Sequence, residues 1–100
     1  MTPEGRVKEK VKKLLRSYGV YWHMPVQNGM GAPSLDFICC AKGWYLAIET
    51  KAPGGVPTPR QMATCKQITD AEGLAIVVRD EHDLAALETT LNLKGCKRAV

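Results

Sequence analysis

The feature that most constrains this chain is a two-residue interruption, Lys42-Gly43. It separates two runs of apolar and β-prone residues, Leu35 to Ala41 and Trp44 to Thr50. Two such runs joined by X-Gly predict a β-hairpin. Setting Ala41 opposite Trp44 defines the register, and counting outward brings Asp36 opposite Glu49. Lys51, two residues further on, then shares a face with Glu49.

Opposed carboxylates repel, and a purely structural hairpin does better without them. A divalent cation reverses the sign, because hard cations prefer carboxylate oxygens. A neighbouring lysine can stabilise negative charge or orient a water. An Asp, twelve intervening residues and Glu-x-Lys therefore suggest a metal site for phosphodiester cleavage. The plainer alternative is an exposed hairpin face that carries Asp36, Glu49 and Lys51 without a ligand, since E-x-K is common on solvent faces.

One hundred residues allow one small domain, 1–100, with a single core. Hydrophobic content of 45% and charged content of 24% suit a globular chain, and no apolar run approaches a membrane span. The N-terminus MTPEGRVKEK has no signal-peptide core, so a cytoplasmic location is expected. A net charge of +4 and a pI near 9.0 mildly favour a polyanionic partner. Cys39 and Cys40 are strand neighbours that point to opposite faces. No C-x-x-C occurs, and His23 and His82 stand at no zinc spacing. Reduced, mostly buried thiols and no zinc are expected.

Along the chain, Thr2-Pro3-Glu4 opens a helix with a capping hydroxyl, a first-turn proline and an acid at the positive dipole end. Val7, Val11, Leu14, Leu15 and Tyr18 form its apolar stripe, and Gly19 stops it. Glu4 lies on that stripe, either as a dipole partner or as an acid reaching the hairpin carboxylates. Arg6, Lys8, Lys10, Lys12, Lys13 and Arg16 are opposed only by Glu9, a face suited to phosphates. Val20 to Gln27 predicts a strand in which Pro25 demands an edge or a bulge. Asn28 to Pro33 is a glycine-rich loop, either a plain turn or a place where a nucleic-acid backbone approaches closely.

Beyond the hairpin, Ala52 to Pro57 is a loop, and Thr58 with Gln61 has capping-box spacing at the start of a second helix. That helix should reach about Ala71 and break at Gly73. Leu74 to Val78 predicts a strand buried on both faces, paired in parallel through a right-handed crossover. Asp80 caps a third helix through Leu84, Leu87 and Leu91, and the basic segment 92–100 is expected to fray. The fold class is α/β, a mixed central sheet flanked by helices, in the order α-β-β-β-α-β-α.

Taken together, Glu4, Asp36, Glu49-Thr50-Lys51 and Gln61 resemble the signature of the PD-(D/E)XK nucleases, with their restriction-endonuclease-like core. More narrowly, the chain resembles the stand-alone VRR-NUC (virus-type replication-repair nuclease) proteins of phages and prophages. The stretches that carry the likeness are TPEG in the first helix, MPVQ-x-G-x-GAPSLDF before the hairpin and AIETKAPGG-x-PTPRQ after it. Leu35 stands where that family usually has proline, a position that shapes backbone and supplies no ligand.

The resemblance implies that Asp36, Glu49 and the Thr50 main-chain carbonyl hold Mg²⁺ or Mn²⁺, with Glu4 assisting directly or through water. Lys51 would position the attacking water or steady the phosphate, and Gln61 would orient Lys51 or the DNA. Lys8, Lys12, Arg16 and Arg60 are the expected DNA contacts. The implied activity is metal-dependent cleavage of branched DNA, such as four-way junctions or replication-repair intermediates, by a homodimer in a bacterial host cytoplasm. Two other readings stand beside it: a non-catalytic structure-specific DNA-binding module that retains the fold, and a small structural or zinc protein.

Overall fold

The computed structural model describes residues 1–26 and 33–99. Of the loop expected from Asn28 to Pro33, residues 28–32 lie outside the described residues, as does Gln27 at the end of the first expected strand.

The first helix, α1 (Pro3–Ser17), starts as its residues require: the Thr2 side chain accepts the Gly5 N–H at 3.0 Å. Val7, Val11, Leu14 and Leu15 form its buried stripe, and Gly19 turns the chain at a φ of 63°. Strand β1 (Tyr21–His23) is shorter than the expected run from Val20 to Gln27. It ends before Met24-Pro25, where a proline has no N–H to give the ladder, and it occupies a sheet edge.

Strands β2 (Phe37–Ala41) and β3 (Trp44–Thr50) form the expected hairpin. Lys42 (φ 52°) and Gly43 (φ 84°) both take the left-handed conformation that a tight two-residue turn requires. Pairing runs from Ala41 opposite Trp44 to Phe37 opposite Ile48, in the register deduced from the turn. It stops one pair short of Asp36 and Glu49, because the chain bends at Asp36 just ahead of β2.

Helix α2 (Pro59–Asp70) carries the full capping box of Thr58 and Gln61. It leads to β4 (Leu74–Val78), which pairs in parallel with β3. Gly73 admits a close approach to Ile68, since a Cβ there would meet the Ile68 side chain at 2.9 Å; the positive φ of the turn falls on Glu72 instead. The sheet order is β1-β2-β3-β4. β4 is therefore an edge strand, which corrects the expectation of burial on both faces: only Val78 is fully buried, and Leu74 to Val77 are half-buried.

Helix α3 (Glu81–Leu93) is capped by Asp80, whose carboxylate accepts the Asp83 N–H at 2.9 Å. The tail expected to fray is tied down. Cys96 is buried, the Ala99 N–H donates to the Ser17 carbonyl at 2.6 Å, and Arg98 pairs with Glu88. The same Glu88 accepts the Tyr18 hydroxyl at 2.8 Å, which joins tail, α1 and α3.

One core holds these elements. Phe37, Leu46, Ile48 and Val78 face Val11, Leu15, Leu87 and Leu91 across one side of the sheet. The other side carries α2, whose sole buried residue is Thr64. The four cysteines are free. Cys39 and Cys96 are buried as expected, whereas Cys40 is exposed and Cys65 half-buried. Among the described residues, no helix is long and apolar enough to cross a membrane.

Candidate active site

The site forms where β3 ends and β2 begins. Glu49, the penultimate residue of β3, is only 3% exposed. Its Oε2 accepts the Gln61 Nε2–H at 2.9 Å and lies 3.9 Å from the Lys51 Nζ. Burial and the neighbouring Asp36 charge push its pKa up to about 7, against the opposing pull of Lys51 and the Asp36 N–H; Glu4 adds a smaller push. A carboxylate held this far above its usual range is one that an added positive charge would stabilise.

Asp36 is fastened by Thr50. Its Oδ2 accepts the Thr50 N–H at 3.0 Å and the Thr50 hydroxyl at 2.6 Å, and Thr50 is wholly buried. Both of these hydrogen bonds fall on Oδ2. A strand residue directs its N–H and C=O to the same side. The Thr50 carbonyl is thus turned toward Asp36, past the point where the β2 ladder has ended.

Gln61 has two duties at once. Its Oε1 accepts the Thr58 N–H at 2.9 Å to close the capping box, while its Nε2 holds Glu49. The capping role expected of this residue is realised, and its amide nitrogen meets Glu49. Arg60 and Thr64 line the same cleft as Asp36 and Gln61, below Pro33 and Ser34.

Glu4 reaches the neighbourhood from α1 and pairs with Lys8 at 3.1 Å. Its carboxylate acts on Glu49 electrostatically. Glu4, Asp36 and Glu49 do not form a set whose carboxylate oxygens all lie within 4.8 Å of one another. Lys8 departs from expectation. Expected on a solvent face toward DNA, it is half-buried, and its pKa is raised although burial opposes the charge, because Glu4, Asp36 and Glu49 surround it with carboxylates. The sequence carries the signal, since Lys8 stands one helical turn from Glu4 on the same side. Lys12 pairs with Glu9 at 3.1 Å, and Arg16 lies over the Trp22 ring at 5.7 Å, so neither gathers at the site.

The donor set suits a hard divalent cation. It comprises two carboxylates, one of them destabilised in its charged form, and a main-chain carbonyl turned the same way. Asp80, His82 and Asp83 also lie within 4.8 Å of one another, but Asp83 is engaged by Arg79 at 2.9 Å, and Asp80 and His82 are exposed.

No protein-family model matches the sequence, and no curated protein does. A solved structure described as "VRR_NUC domain" matches with a TM-score of 0.76 at 20% identity, over 87% of this chain and 95% of that one. Similarity of this kind speaks to backbone architecture. The chain has the fold of that VRR_NUC domain, a mixed four-stranded sheet with three helices.

Proposed function

We propose that the chain is a VRR-NUC-type nuclease, a Mg²⁺- or Mn²⁺-dependent DNA endonuclease acting on branched or replication-repair structures as a homodimer. The observation that carries this reading is the buried Glu49 carboxylate, crowded by Asp36 and contacted by both Lys51 and Gln61. An apolar or amide side chain would be more comfortable there, so the acids require a reason beyond folding.

Asp36, Glu49 and the Thr50 carbonyl would hold the cation. A bound divalent ion supplies neutralisation of charge on the phosphate and a more acidic water. The remaining work falls to the chain. Lys51 orients the attacking water or steadies the phosphate oxygens, and Gln61 holds the Glu49 carboxylate in one rotamer from a capped helix start. Thr50 keeps Asp36 at the sheet end, Glu4 meets the site through water, and Arg60 at the cleft rim takes a phosphate. Two sites related by a two-fold axis suit a junction with paired strands.

The test is cleavage of linear, flap, fork and four-way DNA with each metal, for the unmodified chain and for Asp36→Asn, Glu49→Gln and Lys51→Met. Metal-dependent cutting that all three substitutions abolish, while DNA binding survives, supports the reading. Binding with no cutting of any substrate would replace it with a non-catalytic module.

A further inference from the structure

Among the described residues, the side of the sheet that carries Glu49 is open over β1 and β2. Ladder partners share a face, so Tyr21, Cys40 and Tyr45 form one row across β1, β2 and β3. All three are exposed, Tyr21 by 70% and Tyr45 by 49%. The next row along the strands is His23, Ile38 and Ala47, and the row after that is the level of Asp36 and Glu49. Rows on one face are spaced by roughly 7 Å and strands by about 4.8 Å. The tyrosines therefore stand roughly 10 Å apart, and their row lies roughly 13 Å from the acid pair on the same open face.

Apart from the acid pair, these rows carry no carboxylate. Beside Cys40, at the turn end of the sheet, a cleft is lined by Lys42 and Lys97 and, from the core side, by Tyr18, Val20, Ala41 and Cys96, with no acid among its walls. Two rings with a small side chain between them and ammonium groups alongside match what an unpaired nucleic-acid strand needs. Bases stack on the rings and phosphates meet the lysines. The net charge of +4 favours a polyanion on this face.

We propose that Tyr21 and Tyr45 form a stacking platform for unpaired nucleotides a few residues from the scissile phosphate, so that the enzyme selects DNA with a single-stranded segment. This rests on the nuclease reading for its purpose, but its test does not use cleavage. The full chain, without metal, is mixed with a fifteen-nucleotide thymidine oligomer or with the duplex of that oligomer. Cys40 alkylation by N-ethylmaleimide is followed by peptide mass. The single strand slows Cys40 alkylation several-fold and the duplex does so less. Tyr21→Ala/Tyr45→Ala weakens binding of the single strand by at least about tenfold, with duplex binding little changed.

Unprotected Cys40 overturns the proposal, as does undiminished binding by the folded double variant. A Cys40 that is unreactive in the protein alone, and becomes reactive only when the double variant turns monomeric, overturns it in favour of a contact between copies. Should the double variant fail to fold, the Cys40 footprint on the unmodified chain decides. Cutting without protection removes this inference alone, and protection without cutting of any substrate removes the nuclease reading alone.

Discussion

Gln61 holds the Glu49 carboxylate at 2.9 Å with its amide nitrogen while its amide oxygen closes the capping box on Thr58. One side chain thus couples the start of α2 to the most perturbed acid of the site. Helix geometry and site geometry cannot be altered separately at this position.

Gln61→Glu and Gln61→Ala should separate the two duties. Glutamate keeps the capping acceptor but sets a second negative charge against Glu49, whereas alanine removes both interactions. Both should lower the cleavage rate by about tenfold to a hundredfold, as loss of a group that orients a metal ligand does. Only alanine should also cost about 1 kcal/mol of stability through the missing cap. Cleavage rates set beside urea titrations check this, and an unimpaired rate in Gln61→Glu would contradict it.

The Glu49 pKa of about 7 has a definite consequence for metal-free protein. The folded value lies above the unfolded one, so the folded state favours the protonated acid. That contribution is fully present below about pH 4.5 and is lost as pH rises through 7. The difference amounts to roughly 3 kcal/mol in full. Melting temperature without divalent ions should therefore fall between pH 5 and pH 8 (roughly the window bounded by the two pKa values), while Glu49→Gln melts at nearly constant temperature over that range. A parallel decline in both proteins would show that another group is responsible.

Divalent ions should cancel this decline. Saturating Mn²⁺ or Mg²⁺ binds the ionised pair, so the melting temperature rises most at and above neutral pH. The gain approaches about 2.7 kcal/mol at a hundredfold excess over Kd. Titration calorimetry in two buffers should show proton release near neutrality. Asp36→Asn and Glu49→Gln should each abolish the thermal gain, and chelation should reverse it in the unmodified chain.

Asp36 is legible in the sequence as a ligand but not as a structural acceptor. The hairpin register, the capped helices and the element order all follow from local chemistry: a Lys-Gly turn, two Thr-Pro helix starts, and periodic apolar stripes. What single residues do between elements is set by packing that the linear pattern does not contain. The sequence assigns Thr50 only a carbonyl, yet its N–H and hydroxyl both bind Asp36. Leu74 to Val78 has the pattern of a central strand because an apolar run looks the same at an edge half-covered by α2. The tail looks loose in sequence because its anchors, Ser17 and Glu88, are remote along the chain.

The Thr50 interaction predicts a difference between two common knockouts. Asp36→Ala strands the Thr50 N–H and hydroxyl in a site where Thr50 is fully buried. That should cost about 1–3 kcal/mol. Asp36→Asn retains an acceptor oxygen and should melt close to the unmodified chain. Both should be inactive. Equal stability of the two variants would show that the Thr50 donors find another partner.

The basic residues of α1 should divide by location. Lys8 lies among Glu4, Asp36 and Glu49, whereas Lys12, half-buried as well, and the exposed Arg16 stand beside Glu9 and Trp22. Lys12→Ala/Arg16→Ala should weaken DNA affinity and flatten its dependence on salt, by about 0.9 in slope for each phosphate left without its cation, with turnover at saturating DNA preserved. Lys8→Ala should change turnover and metal requirement with a smaller effect on the slope, because its charge balances carboxylates. Replacing all three together should combine the two effects. A slope unchanged in every variant would place the DNA away from α1, and a loss of turnover confined to Lys12→Ala/Arg16→Ala would reverse the division.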